Sequence, residues 1–97
     1  MFTPKIETPQ TVLLAKAILS LETQEEANRF LEDVLTAQEL LSIAQRIEVA
    51  LMLKNKNTYY DVGKKTGAST ATISRVNRCL QYGARGYETV LERMREE

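Results

Sequence analysis

The segment "GASTATISRVNRCL", residues 67–80, gathers small hydroxyl side chains at Ser69, Thr70, Thr72 and Ser74, then places Arg75 and Arg78 behind them. A hydroxyl both donates and accepts a hydrogen bond. A guanidinium offers a planar fork of donors that matches a phosphate or a guanine edge. Without a base to activate a hydroxyl, side chains of these types hold an anion rather than break bonds. The usual groups for covalent chemistry are missing: the 97 residues include no histidine and a single cysteine, Cys79. There is also no metal-ligand spacing, phosphate-cradling glycine loop or pair of carboxylates in an apolar setting. The sequence reads as a binding protein rather than an enzyme, with no cofactor and no metal.

Charge supports a polyanionic partner. The net charge is zero, yet its two signs are segregated along the chain. Residues 1–53 carry four basic against eight acidic side chains, a net −4. Residues 54–85 carry Lys54, Lys56, Lys64, Lys65, Arg75, Arg78 and Arg85 against Asp61 alone, a net +6. A local field of one sign is what a polyanion feels, although helix-end lysines on a solvated face give a similar count.

The elements that must position these groups form a helix-turn-helix over 58–81. Thr58 caps a short helix to Thr66, Gly67 supplies the turn, and Ser69 caps the next helix through about Gln81. Val62, Ala68, Ile73 and Val76 fill the inward positions, and Gly63 the helix crossing. The remaining residues point away from that core. Small side chains at Ser69, Thr70, Ala71 and Thr72 let a helix enter the major groove closely, with Ser74, Arg75 and Arg78 adding polar and charged contacts. Tyr59, Tyr60 and Lys64 on the preceding helix lie where contacts to the nucleic-acid backbone are made. An αα-hairpin in a protein-interaction bundle, with Tyr59, Tyr60 and Tyr82 as partner contacts, fits the same pattern without nucleic acid.

Elsewhere the spacing of apolar residues is helical and no strand alternation occurs, so the fold is all-α with six helices. The first covers about 10–21 after Pro9, the second 24–35 behind a Thr23–Glu26 capping box, the third 37–54 behind a Thr36–Glu39 box. The last, over 86–96, follows "YGARG" and carries Tyr87, Val90, Leu91 and Met94 on its apolar stripe. The chain is expected to be one domain, with residues 10–54 as a helical dimerisation core. Val12, Leu13, Ala15, Ala17, Ile18, Leu19 and Leu21 cover more than one face of the first helix, wider than so small a monomer covers. A homodimer follows from that excess. The absence of a signal-peptide pattern, of any apolar run of about 20 residues and of a second cysteine points to a cytoplasmic protein off the membrane.

Residues 35–80, "LTAQELLSIAQRIEVALMLKNKNTYYDVGKKTGASTATISRVNRCL", resemble the trp repressor superfamily, and within it the YerC/YecD-type branch. The likeness rests on the "LTAQE" helix start, an arginine in the long central helix and the "GASTATISR" segment, and it covers about half the chain. It implies a six-helix fold, an intertwined homodimer, and paired recognition helices reading successive major grooves of a palindromic double-stranded operator. It also implies a transcriptional regulator, a repressor by analogy. The superfamily's effector site carries over onto Thr36, Arg46 and Arg75. Three positions depart from it: Val76 stands in place of a glycine, Cys79 of a serine and Ala50 of a valine. The branched side chain at 76 and the lost hydroxyl at 79 argue against tryptophan as the ligand. They leave room for another small-molecule effector, or for none. A DNA-binding module of a replication initiator or transposase would share the helix-turn-helix, but those are attached to an ATPase or nuclease domain that these 97 residues do not contain.

Overall fold

A computed structural model describes residues 1–95. Its helices are α1 (Pro9–Leu19), α2 (Gln24–Val34), α3 (Ala37–Lys54), α4 (Tyr59–Thr66), α5 (Thr70–Tyr82) and α6 (Gly86–Arg95). No strand occurs among the described residues, and no described helix is long and apolar enough to cross a membrane. Glu96, the expected last residue of the C-terminal helix, lies outside the described residues. The chain forms two compact units, Met1–Ala37 and the remainder from Gln38.

In the first unit the helix ends differ from the simplest reading of the sequence. Pro9 is the first residue of α1 rather than a residue ahead of it, and Thr8 is the cap. The Thr8 hydroxyl accepts from the Thr11 N–H at 3.0 Å, and the Thr11 hydroxyl accepts from the Thr8 N–H at 2.9 Å. A threonine thus completes a reciprocal cap usually closed by Glu or Gln. α1 stops two residues early because Ser20 Oγ donates to the Ala17 carbonyl at 2.7 Å and competes for the helix's own acceptors. At α2, Thr23 Oγ1 accepts from the Glu26 N–H at 3.1 Å, as expected. The Glu26 carboxylate, however, accepts from the N–H of Glu22, one residue before the cap. Neither α1 nor α2 contains a fully buried residue. Leu13 and Leu19 are 67% and 83% exposed.

The second unit has a core of Val49, Ala50, Val62, Ile73, Val76 and Leu91, with Met52, Leu53, Ala68, Leu80 and Tyr87 packed against it. α5 lies against both α4 and α6, while α3 supplies Val49 and Ala50. Removing each such aliphatic side chain from water contributes roughly 1.5–3 kcal/mol. Along α3 Val49 and Ala50 are buried, whereas Ile43, Ala44 and Leu51 are exposed. No described buried side-chain nitrogen or oxygen lacks a hydrogen bond.

Candidate nucleic-acid interface

α4 and α5 join in a turn that is fixed from three directions. Gly67 adopts φ 77°, ψ 4°, a left-handed conformation, and its N–H donates to the Gly63 carbonyl at 2.9 Å. This is the glycine stop expected of a helix C-terminus. Thr66 Oγ1 donates to the Val62 carbonyl at 2.7 Å and accepts from the Ala68 N–H at 3.1 Å. From α3, Gln45 Nε2 donates to the Thr66 carbonyl at 3.2 Å. Beneath the turn Val62, Ile73 and Val76 are all buried.

Gly63 is looser than the crossing argument requires. A Cβ built there meets the Ala68 carbonyl oxygen at 3.5 Å and Ile73 Cδ1 at 3.6 Å, ordinary van der Waals contact. At Gly67 a Cβ meets only Gln45 Nε2, at 4.0 Å, so the demand for glycine there comes from φ rather than from space.

Ser69 caps α5, its Oγ accepting from the Thr72 N–H at 3.1 Å and lying 3.1 Å from Thr72 Oγ1. Among the described residues the N–H groups of Thr70 and Ala71 have no partner. Free N–H groups at a helix start, with the positive end of its dipole, attract a phosphate. Helical spacing places Ala71, Arg75 and Arg78 in one stripe opposite Ile73 and Val76, and all three are exposed. Thr70 is exposed beside this stripe, while Thr72 and Ser74 are half-buried on its flanks. On α4, Tyr59, Tyr60 and Lys64 are exposed, with Tyr60 and Lys64 one turn apart. The ten residues singled out in the sequence therefore sit on the two helices of one motif, Thr72 and Ser74 less openly than the rest.

The basic segment is partly neutralised by a residue just beyond it. Glu88 lies 3.8 Å from Lys54 Nζ and 3.1 Å from an Arg85 guanidinium nitrogen. Lys56, Lys64, Lys65, Arg75 and Arg78 have no ion-pair partner among the described residues.

The residues implied for an effector belong to both units. Thr36 is exposed in the first unit; in the second, Arg46 is half-buried on α3 and Arg75 exposed on α5. Val76 is 1% exposed, so its branched side chain belongs to the core beside Val62 and Ala50. Cys79 is exposed. It borders an open pocket of about 450 Å³ lined also by Ile47, Arg85, Tyr87 and Val90. None of Thr36, Arg46 and Arg75 lines that pocket. No cluster of side chains able to hold a metal ion occurs among the described residues.

Gln45 and Glu88 were not legible as parts of this motif. Gln45 acts across 21 residues of sequence, and Glu88 lies past the charge run it neutralises. Thr66 was readable in principle, as a hydroxyl directly before a helix-ending glycine.

Comparison with known proteins agrees with this architecture. The chain is 54% identical over 83 residues to the uncharacterised protein YerC of Bacillus subtilis (strain 168), covering 86% of this chain and 80% of YerC. A crystal structure of a TrpR-like protein from Eubacterium eligens superposes with TM-score 0.87 at 56% identity over 93% of both chains. A candidate Trp repressor from Staphylococcus aureus superposes equally well, TM-score 0.87, at 44% identity over 94% of this chain and 91% of its own. Residues 10–95 match the family described as Trp repressor protein, and with a capped, glycine-turned helix pair at its centre, the chain belongs to that family.

Proposed function

We propose that the protein is a sequence-specific double-stranded DNA-binding transcriptional regulator, a repressor, that acts in the cytoplasm as a homodimer. One observation carries this reading: α5 presents small and basic side chains on the face opposite its core residues, and the cations there have no acidic partner among the described residues. The free N–H groups of Thr70 and Ala71, with Ser69, meet a phosphate. Ala71, Thr72 and Ser74 face base edges, where methyl and hydroxyl groups discriminate thymine and adenine, and Arg75 and Arg78 add base or phosphate contacts. Tyr59, Tyr60 and Lys64 brace the adjoining backbone.

The homodimer is supported by apolar surface that the single chain leaves open on α1 and α3, including Leu13, Leu19, Leu41 and Leu51. Two-fold symmetry then spaces the recognition helices about 34 Å apart, one turn of the duplex. The resemblance to the superfamily carries an effector over onto Thr36, Arg46 and Arg75. Val76, buried in the core, does not stand in a ligand site; the cysteine at 79 in place of a serine supports a ligand other than tryptophan, or none.

Selection from a random duplex library, followed by titration at several salt concentrations, tests this reading. Arg75→Ala or Thr72→Ala is expected to weaken binding to the selected site by about 1–3 kcal/mol. Affinity is expected to fall steeply with salt as counterions are released. No enriched motif, with affinity indifferent to salt and to both substitutions, favours the interaction-bundle alternative instead.

A further inference from the structure

We infer that Tyr82, the last residue of α5, is an additional DNA contact: its phenolic hydroxyl donates to a backbone phosphate at the edge of the groove that α5 enters. The inference rests on the DNA-binding reading and adds to it a residue that the interaction-bundle alternative would use as a protein contact.

Three observations converge on Tyr82. It is four residues beyond Arg78 and seven beyond Arg75, so it continues the exposed stripe that begins at Ala71. Its exposure is 82%, and its hydroxyl has no partner among the described residues. The chain also leaves the helix immediately after it. Gly83 is the C-cap, its N–H donating to the Cys79 carbonyl at 2.9 Å. A Cβ at Gly83 would collide with the Cys79 carbonyl oxygen and lie 3.0 Å from Cys79 Cα. The close approach that only glycine permits turns the backbone away at that point and leaves Tyr82 at the free end of the stripe.

Length decides what this end meets. From Ala71 to Tyr82 the helix advances about 16 Å at 1.5 Å per residue. The major groove is about 12 Å wide. A helix whose first turn faces base edges therefore carries its last turn over the sugar-phosphate wall. A neutral hydroxyl there supplies a hydrogen bond to a charged acceptor without displacing a counterion.

That distinction makes the test specific. Wild type, Tyr82→Phe, Tyr82→Ala and Arg78→Ala are titrated against the duplex selected above and against a 30-base-pair duplex of random sequence, across a salt series. Both Tyr82 variants are expected to lose roughly tenfold or more in affinity for both duplexes, the worth of a hydrogen bond to a charged group. Their salt slope stays that of wild type, whereas Arg78→Ala lowers the slope by about 0.9 for every phosphate that it leaves unneutralised. Wild-type affinity in Tyr82→Phe overturns the inference, because that variant keeps the ring and removes only the donor. So does a change in sedimentation of the Tyr82 variants without DNA, which assigns the ring to a protein contact. In either case wild-type binding to the selected duplex leaves the DNA-binding reading standing. Wild type that binds neither duplex overturns both.

Discussion

Replacing each glycine of the helix-turn-helix by alanine separates two reasons for having glycine at all. At Gly67 the added methyl meets nothing closer than 4.0 Å, so packing is unaffected. The backbone, however, sits at φ 77°, where an L-residue costs roughly 1–2 kcal/mol. At Gly63 the methyl enters at 3.5–3.6 Å from its neighbours, in the interior of α4. Alanine there narrows the freedom of the unfolded chain and improves helix propensity, a gain of about 0.5–1 kcal/mol. The two variants should therefore move in opposite directions. Thermal melts at fixed protomer concentration should show Gly67→Ala lower by about 4–16 °C and Gly63→Ala higher by about 2–8 °C, at roughly 4–8 °C per kcal/mol for a domain of this size. Denaturant midpoints with an unchanged slope should give the same order. A Gly63→Ala protein that melts well below wild type refutes the stated clearance at the crossing. A neutral Gly67→Ala refutes the left-handed turn.

Two further substitutions probe the proposed roles. Ser69→Ala removes the α5 cap and should lower stability by about 1 kcal/mol; Ser69→Asp keeps the cap and should hold stability, yet weaken duplex binding through repulsion of phosphate, as read by melting and fluorescence anisotropy together. Leu13→Glu with Leu19→Glu places charge on exposed α1 surface and should shift sedimentation from dimer to monomer; an unchanged dimer excludes α1 from the interface.

Capping chemistry made most of the fold readable. Thr23, Thr58 and Ser69 each hold the N–H three residues on, and Gly67 takes the left-handed position its placement demanded. These signals are local, and α3 to α5 begin and end within a residue of the positions they mark. Where the deciding partner lay outside the pattern, the reading failed. Thr8 and Thr11 close α1 with a residue type that a search for Glu or Gln passes over. At the last helix, Arg85 adopts φ 68°, and its carbonyl accepts from the Thr89 N–H and hydroxyl at 3.1 and 2.9 Å, so α6 begins at Gly86, the start expected from the sequence. For the candidate interface, which residues share the open face of α5 was legible from spacing; the brace from Gln45 and the counter-ion at Glu88 were not, because each crosses between helices.

Glu88 also bears on how the molecule meets its target. By occupying Lys54 and Arg85, it withdraws charge from the two ends of the basic segment and leaves Lys64, Lys65, Arg75 and Arg78 as the open cations of α4 and α5. On the proposed DNA-binding reading, a rod of negative charge approaching this unit would feel a torque before any contact forms, turning the helix pair to face it. Orientation is settled in the encounter, so ionic strength should act chiefly on the association rate. Glu88→Gln, by freeing cations away from that face, should admit more misaligned encounters and more non-specific association.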